Sequence, residues 1–393
     1  MQVSRICSDL VKIKTENPPS RTTECIEYIR TFLDGLGIPC QIIGTADGQD
    51  NLVTRQPAGN LMFCGHVDVV PAMDSGWKKP PFSGIIDDEF VHGRGSTDMK
   101  GGCAAILSAA ETFVNTGAKL PANLVFVCDE ETGSENGIQR LLREHALPGP
   151  CDCIIAEPTP ARHPNIGQKG LMRINLAFTG RPAHGSLYPA VGTSAIMEAM
   201  QFLSSIRTVY EEEHPVDPHL EEIIRQSSGV LAQELSLPMA QSVLKRVTFN
   251  PGTISGGEKS NVVAQHCNLE MEFRIPWGVK ITDLQARVRA HAGTGTILGH
   301  ESHEPTLTPS DCTIVNRTCD AIRQTYSGEV FPIVQWAASD ARHLRKFGYD
   351  VIEYGPGELT LLHAIDERVR IESLEKAAEI YGRILHQYAG TTV

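Results

Sequence analysis

The order of apolar and polar positions divides the chain into two textures. Up to about residue 170, short unbroken apolar runs alternate with stretches of helical periodicity. Leu61 to Val70, Ala122 to Cys128 and Cys153 to Ala156 read as buried strands, while Thr23 to Leu36 and Cys103 to Thr116 repeat at the spacing of a helix face. Strands and helices in alternation predict an α/β domain. From Leu171 to Thr179, and again from Val262 to Arg274, the period changes to 2, as in Met172-Arg173-Ile174-Asn175-Leu176. Side chains then point alternately to two faces, the mark of half-exposed strands. A helix over Ser194 to Val209 and a charged stretch, Glu211-Glu212-Glu213-His214, lie between them. After Ser310 the first texture returns, with helices at Cys312 to Thr325, Ala341 to Phe347 and from Ser373, and strands at Phe331 to Trp336 and Val351 to Tyr354. The middle therefore reads as an insertion. The expected division is a larger domain of 1–170 plus 295–393 and an inserted segment of 171–294.

Composition narrows the function more than the fold. With 393 residues, 41% hydrophobic and 21% charged, the chain has enough apolar content for folded domains and too little charge for disorder. Its 47 acidic side chains against 35 basic give a net charge of -12, which disfavours a nucleic-acid surface or an anionic membrane as partner. No apolar run approaches the ~18 residues a bilayer span needs, and the amino terminus has no apolar export segment. A cytoplasmic protein is expected. Its 11 cysteines include no C-x-x-C pair, so reduced, mostly buried thiols are expected in place of a zinc-thiolate site.

The chemistry gathers at strand ends. His66 and Asp68 follow the run Leu61-Met62-Phe63-Cys64, spaced so that a carboxylate can stand behind an imidazole and fix its tautomer. Asp98 lies in Gly93-Arg94-Gly95-Ser96-Thr97-Asp98-Met99-Lys100, which lacks the spacing of a phosphate-binding loop. Asp129-Glu130-Glu131 closes another buried strand, and three adjacent carboxylates repel one another unless cations neutralise them. Glu157 ends a further apolar run before Pro158, and His363 follows Gly355-Pro356-Gly357. Imidazoles and carboxylates without cysteine suit zinc, with cobalt or manganese as substitutes.

These motifs, in this order and over nearly the whole chain, resemble the dinuclear zinc aminoacylase and carboxypeptidase family (M20) that includes acetylornithine deacetylase and succinyl-diaminopimelate desuccinylase. The matching text is Gly65-His66-Val67-Asp68-Val69-Val70-Pro71, Gly93 to Gly102, Asp129-Glu130-Glu131-Thr132-Gly133, Ala156-Glu157-Pro158 and the segment around His363. The resemblance implies a zinc-exopeptidase-like catalytic domain, with a mixed, mostly parallel sheet flanked by helices, and an inserted α/β lid through which the chain forms a homodimer. It implies two zinc ions, one held by His66, Asp98 and Glu157, with Asp98 bridging to a second held by Glu131 and His363. Glu130 would be the general base acting on a water between the ions, and Asp68 the carboxylate orienting His66. His184 would reach the partner subunit's site and donate to the developing oxyanion. Arg274 and Asn261 match family positions that contact substrate, and Ser339-Asp340-Ala341-Arg342 resembles a turn near the pocket. The implied reaction is hydrolysis of the amide bond in a small N-acyl amino acid. The motif versions at Gly355 and His184 lean slightly toward the deacetylase side. A dipeptidase or carboxypeptidase with the same centre, and a catalytically silent metal- or amino-acid-binding relative, remain as alternatives.

Overall fold

The computed structural model describes residues 2–54, 60–73 and 75–391. Strand Leu61–His66 lies between Ala122–Val127 and Asp152–Ile155, parallel to both, and Asp350–Glu353 continues the parallel set beyond Asp152–Ile155. Every residue of Leu61–His66 and Ala122–Val127 is buried, which explains their unbroken apolar text. Asp50–Thr54 and Cys40–Gly44 extend one side antiparallel. Asn165–Gln168, Thr306–Leu307 and Ile333–Gln335 complete the other, making a mixed sheet of nine strands among the described residues. Helices Val3–Lys12, Lys100–Val114, Ile371–Ala389 and Thr313–Thr325 pack in sequence against one another. Lys100 opens its helix fully buried, and its Nζ donates to the carbonyls of Leu10 at 3.1 Å and Ile13 at 2.7 Å. The ammonium thus closes the carboxyl end of the first helix, a structural task and not a phosphate-binding one.

A second sheet is wholly antiparallel, in the order Thr296–His303, Gly170–Thr179, His266–Ile275, Thr248–Gly256. Met172, Ile174, Leu176 and Phe178 on one strand, with Leu269, Met271 and Phe273 on the next, face helices Ala195–Ile206 and Ile281–His291 in a core of their own. This is the period-2 text made solid. The observed packing differs from the expected 171–294 division at two places. The second sheet runs on to His303, beyond residue 294. Helix Pro218–Glu234, inside the insertion, buries Leu220, Ile223, Ile224 and Leu231 in the larger core, where Ser227 Oγ also accepts the Val334 amide at 3.0 Å. An amphipathic helix follows the larger apolar surface in reach, here strand Ile333–Gln335, which the helix packs against. No helix among the described residues is long and apolar enough to cross a membrane.

Candidate metal centre

Because Leu61–His66, Ala122–Val127 and Asp152–Ile155 run parallel and in register, their carboxyl ends share one rim. His66 ends the first, Glu130 and Glu131 follow the second, and Glu157 follows the third. Ligands collect on such a rim because the loops there carry side chains past the last paired residue. Asp98 enters from the turn before Lys100–Val114, and His363 from the loop after Asp350–Glu353. The result is two groups able to hold a metal ion, His66–Asp98–Glu157 and Asp98–Glu131–His363, each with ligand atoms within 4.8 Å of one another. Asp98 belongs to both. Its Oδ1 stands 3.1 Å from His66 Nε2 and its Oδ2 3.3 Å from His363 Nε2. Glu157 Oε1 lies 3.7 Å from His66 Nε2, and Glu131 Oε2 lies 3.2 Å from His363 Nε2. The second oxygen of Glu131 is buried without a hydrogen-bond partner. Nitrogen and oxygen donors in this number, bridged by one carboxylate and leaving a buried lone pair unanswered, fit a pair of divalent cations.

Charge gives the same picture. Burial pushes the Glu157 and Glu130 carboxyls well above their ordinary range, and Glu131 up as well, with neighbouring carboxylates adding to the rise. Burial also pushes Asp98 up, but hydrogen bonds from His363 and His66 outweigh it and hold that carboxyl low. His363 is raised to about 10 by its hydrogen bonds to Asp98 and Glu131. In His66, burial disfavours the charged ring, and the Asp68 and Asp98 carboxylates reverse that and raise it. Four acids and two bases are thus locked into one electrostatic unit. Cations between them relieve the same repulsion that raises the glutamates.

The supports of this unit were only partly foreseeable. His66 Nδ1 donates to the carbonyl oxygen of Asp68 at 2.9 Å, which leaves Nε2 facing Asp98, while the Asp68 carboxylate stands 3.6 Å from the ring. That carboxylate instead accepts Asn17 Nδ2 at 2.8 Å and the backbone amides of Glu130 and Glu131, both at 3.2 Å. Asp68 therefore anchors the turn that presents both glutamates. Asp129, at φ 68 in the left-handed region, bends that turn and is tied down by Asn17 and the Asn136 amide. Arg94 and Glu367 form a buried pair at 2.5 Å. Glu367 Oε1 accepts the Thr97 amide at 2.9 Å and the Asp98 amide at 3.1 Å, and Arg94 Nη2 donates to the His363 carbonyl at 3.2 Å. One ion pair thus fixes Asp98 and His363 relative to each other. Glu367→Gln is expected to weaken metal binding by roughly 10- to 100-fold, as loss of such outer support does elsewhere. Chelator competition checks this, and unchanged affinity would limit the pair to holding the fold.

Residues 62–387 match the model of peptidase family M20/M25/M40. The chain belongs to this family. It is 28% identical to a succinyl-diaminopimelate desuccinylase of Marinobacter nauticus, over 97% of this chain and 96% of that protein. Aminoacylase-1 of Mus musculus is 25% identical over 96% and 93%. Among solved structures, an M20 family metallo-carboxypeptidase from Sulfolobus solfataricus superposes with a TM-score of 0.83, at 20% identity and 99% of both chains.

In this M20 chain a cavity of about 340 Å³ opens over the two ligand groups. Asp98, Glu130, Glu131, Glu157 and His363 line it from the larger domain, and Arg173 and Arg274 face it from the second sheet. Glu130 belongs to neither ligand group. Arg274 does reach the cavity, but its Nε is engaged with Glu272 at 2.6 Å, and Arg173 is shared between Glu272 at 3.3 Å and Glu301 at 3.7 Å. Arg342 differs. It is 5% exposed, its Nε has no hydrogen-bond partner among the described residues, and no carboxylate there pairs with it within 4 Å. Among the described residues its side-chain hydrogen bond runs from Nη1 to the Ser339 carbonyl at 3.1 Å. His184 and Asn261 are not among the residues lining this cavity. They meet elsewhere on the second domain, where the Gly185 amide donates to the Asn261 carbonyl at 2.8 Å and His184 Nδ1 contacts Ser186 Oγ at 2.7 Å.

Proposed function

We propose that this M20 hydrolase cleaves the amide bond of an N-acyl amino acid bearing a free carboxylate, with Glu130 as the base that moves the proton. The observation that carries this reading is the position of Glu130, a half-buried residue whose carboxylate lines the cavity beside both ligand groups and belongs to neither. His66, Asp98 and Glu157 would hold one ion and Asp98, Glu131 and His363 the other, zinc by the chemistry of the donors, with cobalt or manganese as substitutes. When bound, such a pair polarises the scissile carbonyl and makes water acidic enough to attack at neutral pH. Glu130 accepts the proton of the attacking water and returns it to the leaving nitrogen. Asp68 keeps the Glu130 turn in place. Arg342, with Arg274 on the same cavity, receives the substrate carboxylate, a task suited to a guanidinium with which no carboxylate among the described residues pairs within 4 Å.

His184 requires a second copy of the chain. It stands outside the cavity of its own subunit, on a domain whose exposed surface includes Leu187, Val191, Met200 and Ile254. Strand Thr248–Gly256 is paired on one side only. We read this domain as a lid and dimerisation unit that carries His184 and Asn261 to the partner's cavity. The 11 free cysteines suit a reducing compartment, and we place the enzyme in the cytoplasm.

The test is turnover of N-acetylornithine, N-acetyl-lysine, N-succinyl-diaminopimelate and simple dipeptides, with zinc, cobalt or manganese supplied to chelator-treated protein. Metal-dependent release of the amine from an acylated amino acid is expected. Hydrolysis of dipeptides alone would move the assignment to a dipeptidase, and no turnover with any metal would favour a silent binding protein.

A further inference from the structure

The floor of the cavity holds a buried polar network that proton transfer does not use. Glu353 ends strand Asp350–Glu353, lines the cavity and is only 4% exposed. Its carboxylate accepts hydrogen bonds from Ser339 Oγ and from Asn165 Nδ2, and the nearest cation, Arg345, stands 3.9 Å away. Ser339 is held from several sides. Its hydroxyl accepts the Ala341 amide at 3.1 Å, and its carbonyl accepts Gln168 Nε2 at 3.2 Å and Arg342 Nη1 at 3.1 Å. That last contact is what directs the Arg342 guanidinium.

A buried carboxylate is costly and an amide or an aliphatic side chain would fill the same space, so its presence asks for a reason. Only an acceptor-only group satisfies the Ser339 and Asn165 donors at once; a glutamine would turn an N–H toward one of them. Both donors line the cavity, Asn165 from strand Asn165–Gln168 and Ser339 from the turn that carries Arg342. Gln168 is the last residue of that strand before Gly170 opens the lid sheet, and a Cβ at Gly170 would meet the His303 carbonyl oxygen at 2.5 Å, where another crossing between the domains passes. Arg342 is therefore aimed by a network rooted in both the floor and the lid crossing.

We propose that Glu353 is a positioning residue which, through Ser339, fixes the Arg342 guanidinium in the direction that receives the substrate carboxylate. This rests on the hydrolase reading above and adds to it the element that sets carboxylate selectivity. Glu353 makes no hydrogen bond or ion pair with His66, Asp98, Glu131, Glu157 or His363 among the described residues, although its charge adds to the rise of Glu157, so with metal content held equal its loss acts on binding that is equal in ground and transition states.

The experiment compares Glu353→Gln, Ser339→Ala and Arg342→Met on one N-acyl amino acid and on its α-carboxamide, with zinc content and thermal unfolding as checks on folding. For the carboxylate substrate Glu353→Gln and Ser339→Ala are each expected to raise KM by about 10-fold, the scale of one hydrogen bond to a charged group, with kcat nearly unchanged. The carboxamide KM stays at the wild-type value. In the Arg342→Met background, adding Glu353→Gln produces no further rise, because the group it aims is gone. Additive effects, an equal loss of kcat on both substrates, or an unchanged KM overturn the proposal. Should Glu353→Gln fail to fold, Ser339→Ala decides by the same criteria. A wild-type enzyme that hydrolyses no acylated amino acid overturns the hydrolase reading, whereas an active wild type whose Arg342→Met variant keeps its KM overturns this proposal alone.

Discussion

Replacing Glu130 by Gln is expected to lower kcat by about 10³-fold, roughly 4 kcal/mol of transition-state stabilisation, with metal content unchanged. The direction follows from where the side chain sits. Glu130 shares its turn with Glu131 of the second candidate group, yet the two face different partners: Glu131 meets His363 at 3.2 Å, and Glu130 remains outside both groups. Gln keeps the shape and removes the basicity. The Glu130 amide still donates to Asp68 Oδ1 at 3.2 Å, so the turn survives the change. Burial pushes the Glu130 carboxyl well above its ordinary range, with the charged His66 ring opposing the rise. A raised carboxyl is a stronger base, and nearby cations moderate it toward the neutral range where proton transfer in both directions is efficient. Steady-state kinetics on the best panel substrate, with metal analysis of the same preparation, checks the outcome. Near wild-type turnover by a folded, metal-loaded variant would remove Glu130 from the chemistry.

Much of this centre was visible in the sequence because of how parallel sheets are built. His66, Glu131 and Glu157 each follow an apolar run short enough to be one buried strand, and strands in register deliver their ends to one place. Asp98 and His363 had no such strand to announce them; they stood out only as a turn aspartate and a loop histidine, and their grouping as ligands, like that of the other three, came from the resemblance. The supports were harder to see, for a physical reason. Glu367 lies 273 positions from Arg94, and Asn17 lies 51 from Asp68, so no local period links them. A buried ion pair looks in the text like any two surface charges. Asp68 shows a subtler limit: the H-x-D spacing predicted a carboxylate behind His66, and the fold sets it there at 3.6 Å, with the Asp68 carbonyl nearer the ring at 2.9 Å and the carboxylate also engaged by the glutamate turn. Helix Pro218–Glu234 did carry readable signals, an Asp217 side chain that caps the His219 and Leu220 amides and a proline in the first turn. Which core that helix joins depends on the sheet edge it meets, and strand order is not written in periodicity.

Asp98→Asn is expected to be the most damaging single change, because it alone touches both ion sites. Glu157→Gln and Glu131→Gln each remove one donor from one group, so each should leave one ion bound. Asp98 supplies Oδ1 to the side of His66 and Oδ2 to the side of His363, and asparagine keeps only one acceptor and no charge. The backbone around position 98 is held independently, by the Glu367 carboxylate that accepts the Thr97 and Asp98 amides, so the variant should fold. Loss of both ions forfeits several kcal/mol of charge stabilisation, and a fall in kcat of at least about 10³-fold is expected. After desalting, metal analysis should find the wild type with two ions per chain, the Glu131 and Glu157 variants near one, and Asp98→Asn below one. That order is specific to a shared carboxylate. If Asp98→Asn instead matched the single-site variants, the two groups would be independent sites, and the reaction could not rely on a pair of ions acting on one carbonyl.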